Sequence, residues 1–311
     1  MEKISFVIAC YNEVGNIEEL VRRLTAVMSQ EQYKYEIIFA DNASSDGTQE
    51  ILRKLAHQDK RIKVILNNRN YGPTKSPRNA LGHVSGDVVI GLAADLQDPP
   101  ELIPEFIREW EKGYKLVYGQ KLSSDEGFVK HGLRTLYYNI IDFFSEIPQY
   151  KHLSGIALHT RDVLDEMLNA DPDVPFRYLI AEMGYPVKLI PYKQNKRKSG
   201  KSSYNINRYF NFAMNSLIST STIPLRMATV FGGFMVVVCF GIGMAYLVMK
   251  FKYWDQFSMG TAPMLIGIFF LGSVQILFIG LIGEYVGAIL KKLTKQMPVI
   301  EKELINFDID K

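Results

Sequence analysis

The chain has 311 residues, 36 of them Lys or Arg and 33 Asp or Glu, so its formal charge is only +3, and no nucleic-acid partner is expected. Its length suffices for one complete α/β domain plus a smaller second part. The two cysteines, Cys10 and Cys239, both lie in apolar segments, which excludes a disulfide framework and suits a reducing, cytoplasmic compartment.

The opening MEKISFVIACYNE is a short apolar run that ends in polar residues, with no small-residue cleavage site behind it. It predicts a first strand rather than a signal peptide. Further strands are predicted at YEIIFA from Tyr35, IKVIL from Ile62, DVVIGL from Asp87 and KLVYG from Lys115. All are nearly free of charge, as strands buried on both faces are. Between them NIEELVRRLTAVM from Asn16, TQEILRKLAHQ from Thr48 and PELIPEFIREWEKG from Pro100 carry apolar residues at helical spacing. The alternation predicts an α/β domain over residues 1–203, with a mostly parallel, Rossmann-like sheet covered by helices. Ligands of such sheets bind beyond the C-terminal ends of the strands.

Composition then changes. Lys193, Lys196, Arg197, Lys198, Lys201 and Arg208 precede a long apolar region. Such a cluster points to anionic lipid or phosphate nearby, the alternative being a solvated basic loop. Residues 204–222 are assigned as a juxtamembrane segment, in which Asn205 to Ser221 suits either an interfacial helix or an ordinary packed one. Met227 to Val248 and Ala262 to Gly283 are each charge-free and long enough to cross a bilayer. They predict a two-helix transmembrane hairpin over 223–290 and a cytoplasmic tail over 291–311. Arg226 before the first span and Lys291, Lys292 and Lys295 beyond the second place both ends in the cytoplasm, against the weaker pull of Lys250 and Lys252 in the turn. Glu284, near the end of the second span, suits either helix pairing or the headgroup region.

Chemistry is expected where the strands end. The first is followed by Tyr11-Asn12-Glu13, the second by Asp41-Asn42-Ala43-Ser44-Ser45-Asp46, and the fourth by Asp95-Leu96-Gln97-Asp98-Pro99-Pro100. Asp41, at a strand end, is placed to accept hydrogen bonds from a nucleobase or ribose, whereas Asp46 reads equally as a helix cap. Neither GxxxxGKS nor GxGxxG follows the first strand, so a metal is needed to hold phosphates. Asp95 and Gln97 offer hard oxygen ligands suited to Mg²⁺ or Mn²⁺.

Taken in series, YNE, DNASSDGT, ADLQDPPE, KRKSGKSSY, TIPLR and GEYVG resemble the family 2 glycosyltransferases, and within them the polyprenyl-phosphate glycosyltransferases. The resemblance covers nearly the whole chain. It implies a GT-A fold, a nucleotide-sugar donor, a polyprenyl-phosphate acceptor and inversion at the anomeric carbon. By the same resemblance Ala9, Tyr11, Asn12, Glu13, Asp41, Asp95 and Gln97 would hold the nucleotide sugar, and Arg197 and Lys201, in a loop containing Ser199-Gly200, suit a lid that closes over the donor. Asp95 and Gln97 would hold the metal. Lys121, Lys130 and Arg134 would meet the acceptor phosphate, and Asp95, Lys121 and Arg134 would carry catalysis. The chain departs from the family at Ala93, where a carboxylate is usual, at Asn42, where a second aspartate is usual, and at Ser154-Gly155-Ile156-Ala157, which replaces a Gly-Asp-Phe-Arg segment.

The reading that follows is transfer of a hexose from UDP-glucose or a similar UDP-sugar to undecaprenyl phosphate, at the cytoplasmic face of a bacterial membrane, by a multi-pass protein. A lipid-linked saccharide or polysaccharide is the alternative acceptor, and a non-catalytic membrane scaffold is the alternative of another class. The lipid bilayer and a second copy of the chain are expected partners, and a flippase is a candidate one.

Overall fold

The computed structural model describes residues 2–121, 150, 153–171, 174, 176–195, 223–252, 261–293 and 297–307. Two units emerge, an α/β domain and a pair of long helices.

The domain is built on eight strands: β1 (Lys3–Cys10), β2 (Lys34–Asp41), β3 (Ile62–Asn67), β4 (Val88–Ala93), β5 (Leu116–Lys121), β6 (Leu153–Thr160), β7 (Val187–Tyr192) and β8 (Glu301–Ile305). Their order across the sheet is β7-β5-β6-β4-β1-β2-β3-β8. The predicted strands appear within a residue or two of their expected bounds, and β4, β1, β2 and β3 are parallel. β6 runs antiparallel to β4 and β5 antiparallel to β6, so β5, with its parallel neighbour β7, again points the same way as β4. Six strands therefore present their C-terminal ends at one edge. The sheet is mixed, since β6 and β8 run against the rest.

Side chains alternate between the two faces because a strand has a period of two. Ile4, Phe6 and Ile8 of β1 pack under α1 (Ile17–Met28), α2 (Thr48–Gln58) and α4 (Ile103–Glu111), which bury Leu20, Leu24, Leu52, Phe106 and Ile107. Val7, Ile38, Ile65 and Val89 face the other way. There they meet Ala80 and Leu81 of α3 (Gly72–Leu81) and Leu164 of α5 (Arg161–Asn169). Beyond β6, α5 and α6 (Phe176–Met183) close a smaller cluster with Leu116, Tyr118, Met167 and Ile180.

The opposite edge of the sheet, where β1 and β2 begin, is closed by polar groups. Glu36 is buried and accepts from Ser5 Oγ (2.6 Å), Lys3 Nζ (2.7 Å), the Ser85 N–H (2.8 Å) and Lys63 Nζ (2.9 Å). Gly86 sits against the same corner. A Cβ there would stand 2.7 Å from the Lys3 carbonyl oxygen and 2.8 Å from the Ser5 nitrogen, both backbone atoms of β1. Gly86→Ala should therefore cost about 1–3 kcal/mol of stability, as overpacking against a core that cannot move does; chemical denaturation of wild type and variant measures it.

The second unit consists of α7 (Ile223–Lys252) and α8 (Thr261–Leu293). Within them Leu225–Ala245 and Phe270–Leu290 are long and apolar enough to cross a membrane, and none of either stretch is buried inside the protein. Large apolar residues such as Val237, Phe240, Ile276 and Leu277 are about 70% exposed. The helices meet at Phe231 and Phe278, whose rings pack edge to face at 6.1 Å. They are longer than the predicted spans, and Glu284 falls inside the second apolar stretch, exposed. The expected interfacial helix over Asn205 to Ser221 lies outside the described residues.

The tail expected over 291–311 holds a structural element that the sequence reading did not anticipate. Its residues 301–305 form β8, an edge strand antiparallel to β3. Arg53 clasps Glu303 (2.8 and 3.1 Å), and Asn306 donates to the carbonyls of Ala56 (2.6 Å) and Ile62 (2.8 Å).

Candidate active site

Register brings the strand ends level: Cys10 pairs with Asp41, and Ala9 with Ala93. Two further backbone bonds continue the ladder past the strands, Asn42 N–H to the Cys10 carbonyl (3.0 Å) and Ala94 N–H to the Ala9 carbonyl (3.1 Å). The three loops that follow each contain a non-glycine residue in the left-handed region, Asn12 (φ 56°), Ala43 (φ 60°) and Leu96 (φ 57°). Such strain persists where surrounding bonds over-determine the loop, and it gathers at functional sites.

Those bonds are on view. Asn12 donates its N–H to Ser44 Oγ (2.9 Å) and accepts at Oδ1 from the Ser45 N–H (2.9 Å), lashing the first loop to the second. Asp46 accepts from the Val14 N–H (3.1 Å), the Thr48 N–H (3.1 Å) and Thr48 Oγ1 (2.6 Å). Burial alone would raise its carboxyl, but these bonds outweigh it and hold the group below the usual aspartate range. Asp46 therefore staples the first loop to the start of α2, but it is not that helix's cap: the N-cap position is taken by Gly47, with no side-chain cap bond. Glu13 is buried and accepts from Asn16 Nδ2 (2.6 Å). Tyr11, by contrast, is 42% exposed beside it, an aromatic face open to a planar ligand.

Asp41 is fully buried. Its carboxylate accepts from the Ser44 N–H (3.0 Å), Ser44 Oγ and Gln49 Nε2 (2.8 Å), so these bonds pin it as the floor of the site. Burial, and after it the charge of Asp41, push the neighbouring Cys10 thiol well up, leaving it neutral. Asn42 shows why an amide replaces the second aspartate. Its Nδ2 donates to Asn70 Oδ1 (2.9 Å) and to the Gly72 carbonyl (3.1 Å), while its Oδ1 accepts from the Tyr71 N–H (2.8 Å). A carboxylate has nothing to donate and would face two acceptors.

After β4, Asp95 and Gln97 are both half-buried, and the Gln97 N–H donates to Asp95 Oδ1 (3.1 Å). The chain beyond β7 closes on this loop: the Asn195 N–H donates to the Gln97 carbonyl (3.0 Å), and Tyr192 Oη and Gln194 Nε2 (3.2 Å) donate to Asp98. Burial raises the Asp98 carboxyl, against the bond from Tyr192 and the nearby charge of Lys121. Lys121 ends β5 opposite Tyr192, at the shared edge. Gly155, where the family resemblance leads one to expect an acid, lies so close that a Cβ on it would stand 3.2 Å from Asp98 Oδ2.

Of the residues predicted from sequence, Ala9, Tyr11, Asn12, Glu13, Asp41, Asp95, Gln97 and Lys121 therefore occupy one edge of the sheet. Lys130, Arg134, Arg197 and Lys201 lie outside the described residues. Sequence reasoning passed over Ser44, Gln49, Tyr192 and the buried role of Asp98; the DPP run signalled the last, but nothing local signalled its partners. Among the described residues no three His, Cys, Asp or Glu side chains gather as a metal cluster. One carboxylate and one amide oxygen still fit a hard divalent cation, which keeps several waters and takes further ligands from a bound diphosphate.

A mixed α/β sheet with its strained polar loops gathered beyond β1, β2 and β4, and an antiparallel β6 turned in beside β4, defines a GT-A-type transferase domain. The family description Glycosyl transferase family 2 matches residues 5–167, more than half of the chain. The chain belongs to that family and is a glycosyltransferase. It is 30% identical over 293 residues to the uncharacterized glycosyltransferase sll0501 of Synechocystis, covering 94% of this chain and 92% of that one. It is 29% identical to the bactoprenol glucosyl transferase of Shigella phage SfV, over 92% of this chain and 94% of the relative. The same identity links it to the undecaprenyl-phosphate 4-deoxy-4-formamido-L-arabinose transferase of an Enterobacter, over 93% and 89%. Among solved structures, glucosyl-3-phosphoglycerate synthase from Mycobacterium tuberculosis, in complex with Mn²⁺, UDP and phosphoglyceric acid, aligns with a TM-score of 0.49 at 16% identity, over 70% of this chain and 76% of that one.

Proposed function

We propose that this glycosyltransferase moves a hexose from UDP-glucose or a similar UDP-sugar to undecaprenyl phosphate at the cytoplasmic face of a bacterial membrane. The observation that carries the reading is the shared sheet edge, where Tyr11, Asp41, Asp95 and Gln97 stand with Lys121. The relatives named for bactoprenol and undecaprenyl phosphate align over more than nine-tenths of the chain, apolar helices included. β8 also supports it. The strand follows α8 yet belongs to the sheet whose other strands precede α7, so the chain returns to the domain it left, as an even number of crossings requires.

In this reading Tyr11 stacks on the nucleobase and Asp41 fixes the floor beneath the nucleoside. Asp95 and Gln97 would hold a divalent cation, Mg²⁺ or Mn²⁺, which when bound neutralises charge on the diphosphate. A phosphate acceptor is ionised near pH 7 and is its own nucleophile, so Gly155 in place of an acid removes no necessary base. A phosphate oxygen bonds to the anomeric carbon from the face opposite the leaving group, the bond to the diphosphate breaks with its electron pair, and the configuration inverts. Lys121 orients the incoming phosphate. Lys130 and Arg134 are proposed to join it, and Arg197 and Lys201 to contact the donor.

The test is a donor screen: purified full-length protein, undecaprenyl phosphate, Mn²⁺ or Mg²⁺ and a panel of nucleotide sugars, read by lipid mass. A lipid heavier by one hexose is expected with UDP-glucose. Transfer only to a lipid-linked saccharide would overturn the acceptor, and transfer only from another nucleotide would overturn the donor.

A further inference from the structure

β8 reaches the sheet only after the second apolar helix, and the residue just before it touches the loop between β3 and α3 twice. The Ile300 carbonyl accepts from the Asn68 N–H (3.1 Å), and the Ile300 N–H donates to the Tyr71 hydroxyl (3.1 Å). That hydroxyl donates in turn to Asn68 Oδ1 (2.7 Å). Tyr71 then passes the restraint on, since its own N–H donates to Asn42 Oδ1 (2.8 Å). Asn42 follows Asp41 directly and precedes Ala43, one of the three strained residues. The strand that supplies Ile300 is anchored independently. Glu301 accepts from Asn79 Nδ2 (2.5 Å) and meets His83 Nε2 (2.6 Å), both from α3 or its end, and Arg53 of α2 holds Glu303.

We propose that Tyr71 is a positioning residue of the donor site, through which the C-terminal strand holds the Asn42 hub and with it the loop after β2. The inference rests on the reading that the loops after β1, β2 and β4 bind a nucleotide. Asn42 makes three of its bonds to the segment Asn70–Gly72, so if that segment drifts the strained loop at Ala43 loses its brace. A relaxed loop must be re-ordered by each nucleotide that binds. If about a tenth of molecules then hold the competent form, apparent affinity falls about tenfold. The chemistry itself, at Asp95 and Lys121, is untouched.

Tyr71→Phe tests this directly, because the ring that packs under Arg69 at 4.1 Å remains and only the hydroxyl goes. Ile300→Pro removes the other end of the same bond. Full-length wild type, each variant and the double variant are titrated with UDP and with GDP in the presence of Mn²⁺, and their thermal unfolding and amide hydrogen exchange are followed. The expected result is a Kd about tenfold higher in each single variant and no higher in the double, since both remove one link. Exchange at Ala43, Ser44 and Ser45 accelerates while Tm holds. An unchanged Kd in Tyr71→Phe overturns the proposal, and so does a double variant whose loss is the product of the two. A folded wild type that binds neither UDP nor GDP fails differently: it overturns the nucleotide reading itself and the positioning role with it.

Discussion

Replacing Asp95 by Ala is expected to abolish glycosyl transfer, lowering kcat/KM by roughly 10³-fold or more, the scale of losing a group that neutralises charge at the reacting centre. Among the described residues no second acid is placed to cover the loss. Ala93 stands two residues before it, and among the described residues no cluster of three potential acidic, Cys or His ligands exists. Asp98 is near in sequence, but it is buried and taken up by Tyr192 and Gln194. The loop should survive the change. Ala94 remains bonded to Ala9, and Asn195 to the Gln97 carbonyl, so Tm should stay close to wild type while Mn²⁺-dependent binding of UDP disappears. Residual transfer above a tenth of wild type, a loss of only about 1.4 kcal/mol in barrier, would show that Asp95 does not hold the diphosphate charge.

Much of this architecture was legible because it depends on local pattern. The first five strands are short uncharged runs and the helices between them are plainly amphipathic, and the rule that parallel sheets bind at their C-terminal edge brings Tyr11, Asp41, Asp95 and Gln97 together from the sequence alone. What was missed depends on distance along the chain. α3 reads GPTKSPRNAL, with Pro73, Pro77 and a left-handed Gly72, a composition that argues against a helix. It forms because Ala80 and Leu81 dock beneath β1 and β2, a tertiary gain that no window of ten residues contains. β8 was missed for the same reason: EKELI looks like a charged tail until Arg53, Asn79 and His83, more than two hundred residues away, supply partners for its carboxylates. In the sequence Asn42 is only a departure from a family pattern, and its three partners on the next loop show it to be an amide by requirement.

The opposite edge of the sheet supports the second large effect, and it concerns stability alone. Glu36→Ala should destabilise the domain by about 3 kcal/mol, the low end for breaking a buried ion pair on one side, because Glu36 is only 2% exposed and its loss leaves Ser5 and Ser85 without their acceptor, while Lys3 (32% exposed) and Lys63 (17%) still reach water. Burial by itself would raise the Glu36 carboxyl; the bonds from Lys3, Ser5, Ser85 and Lys63 prevail and bring it down to about 2. A carboxyl lowered on folding stabilises the protein at every pH above its unfolded value of about 4.3, and that contribution, about 3 kcal/mol, drains away as pH falls towards 2. Glu36→Gln isolates this charge, since the amide can still accept from Ser5 or Ser85. The gap in unfolding free energy between wild type and Glu36→Gln should therefore be widest above pH 5 and should close near pH 2. A gap that ignores pH would mean that the two lysines do not depend on the charge of Glu36. Transfer per folded molecule should be unaffected in either variant, because Glu36 lies at the end of the sheet where strands begin, and the proposed substrate site lies where they finish.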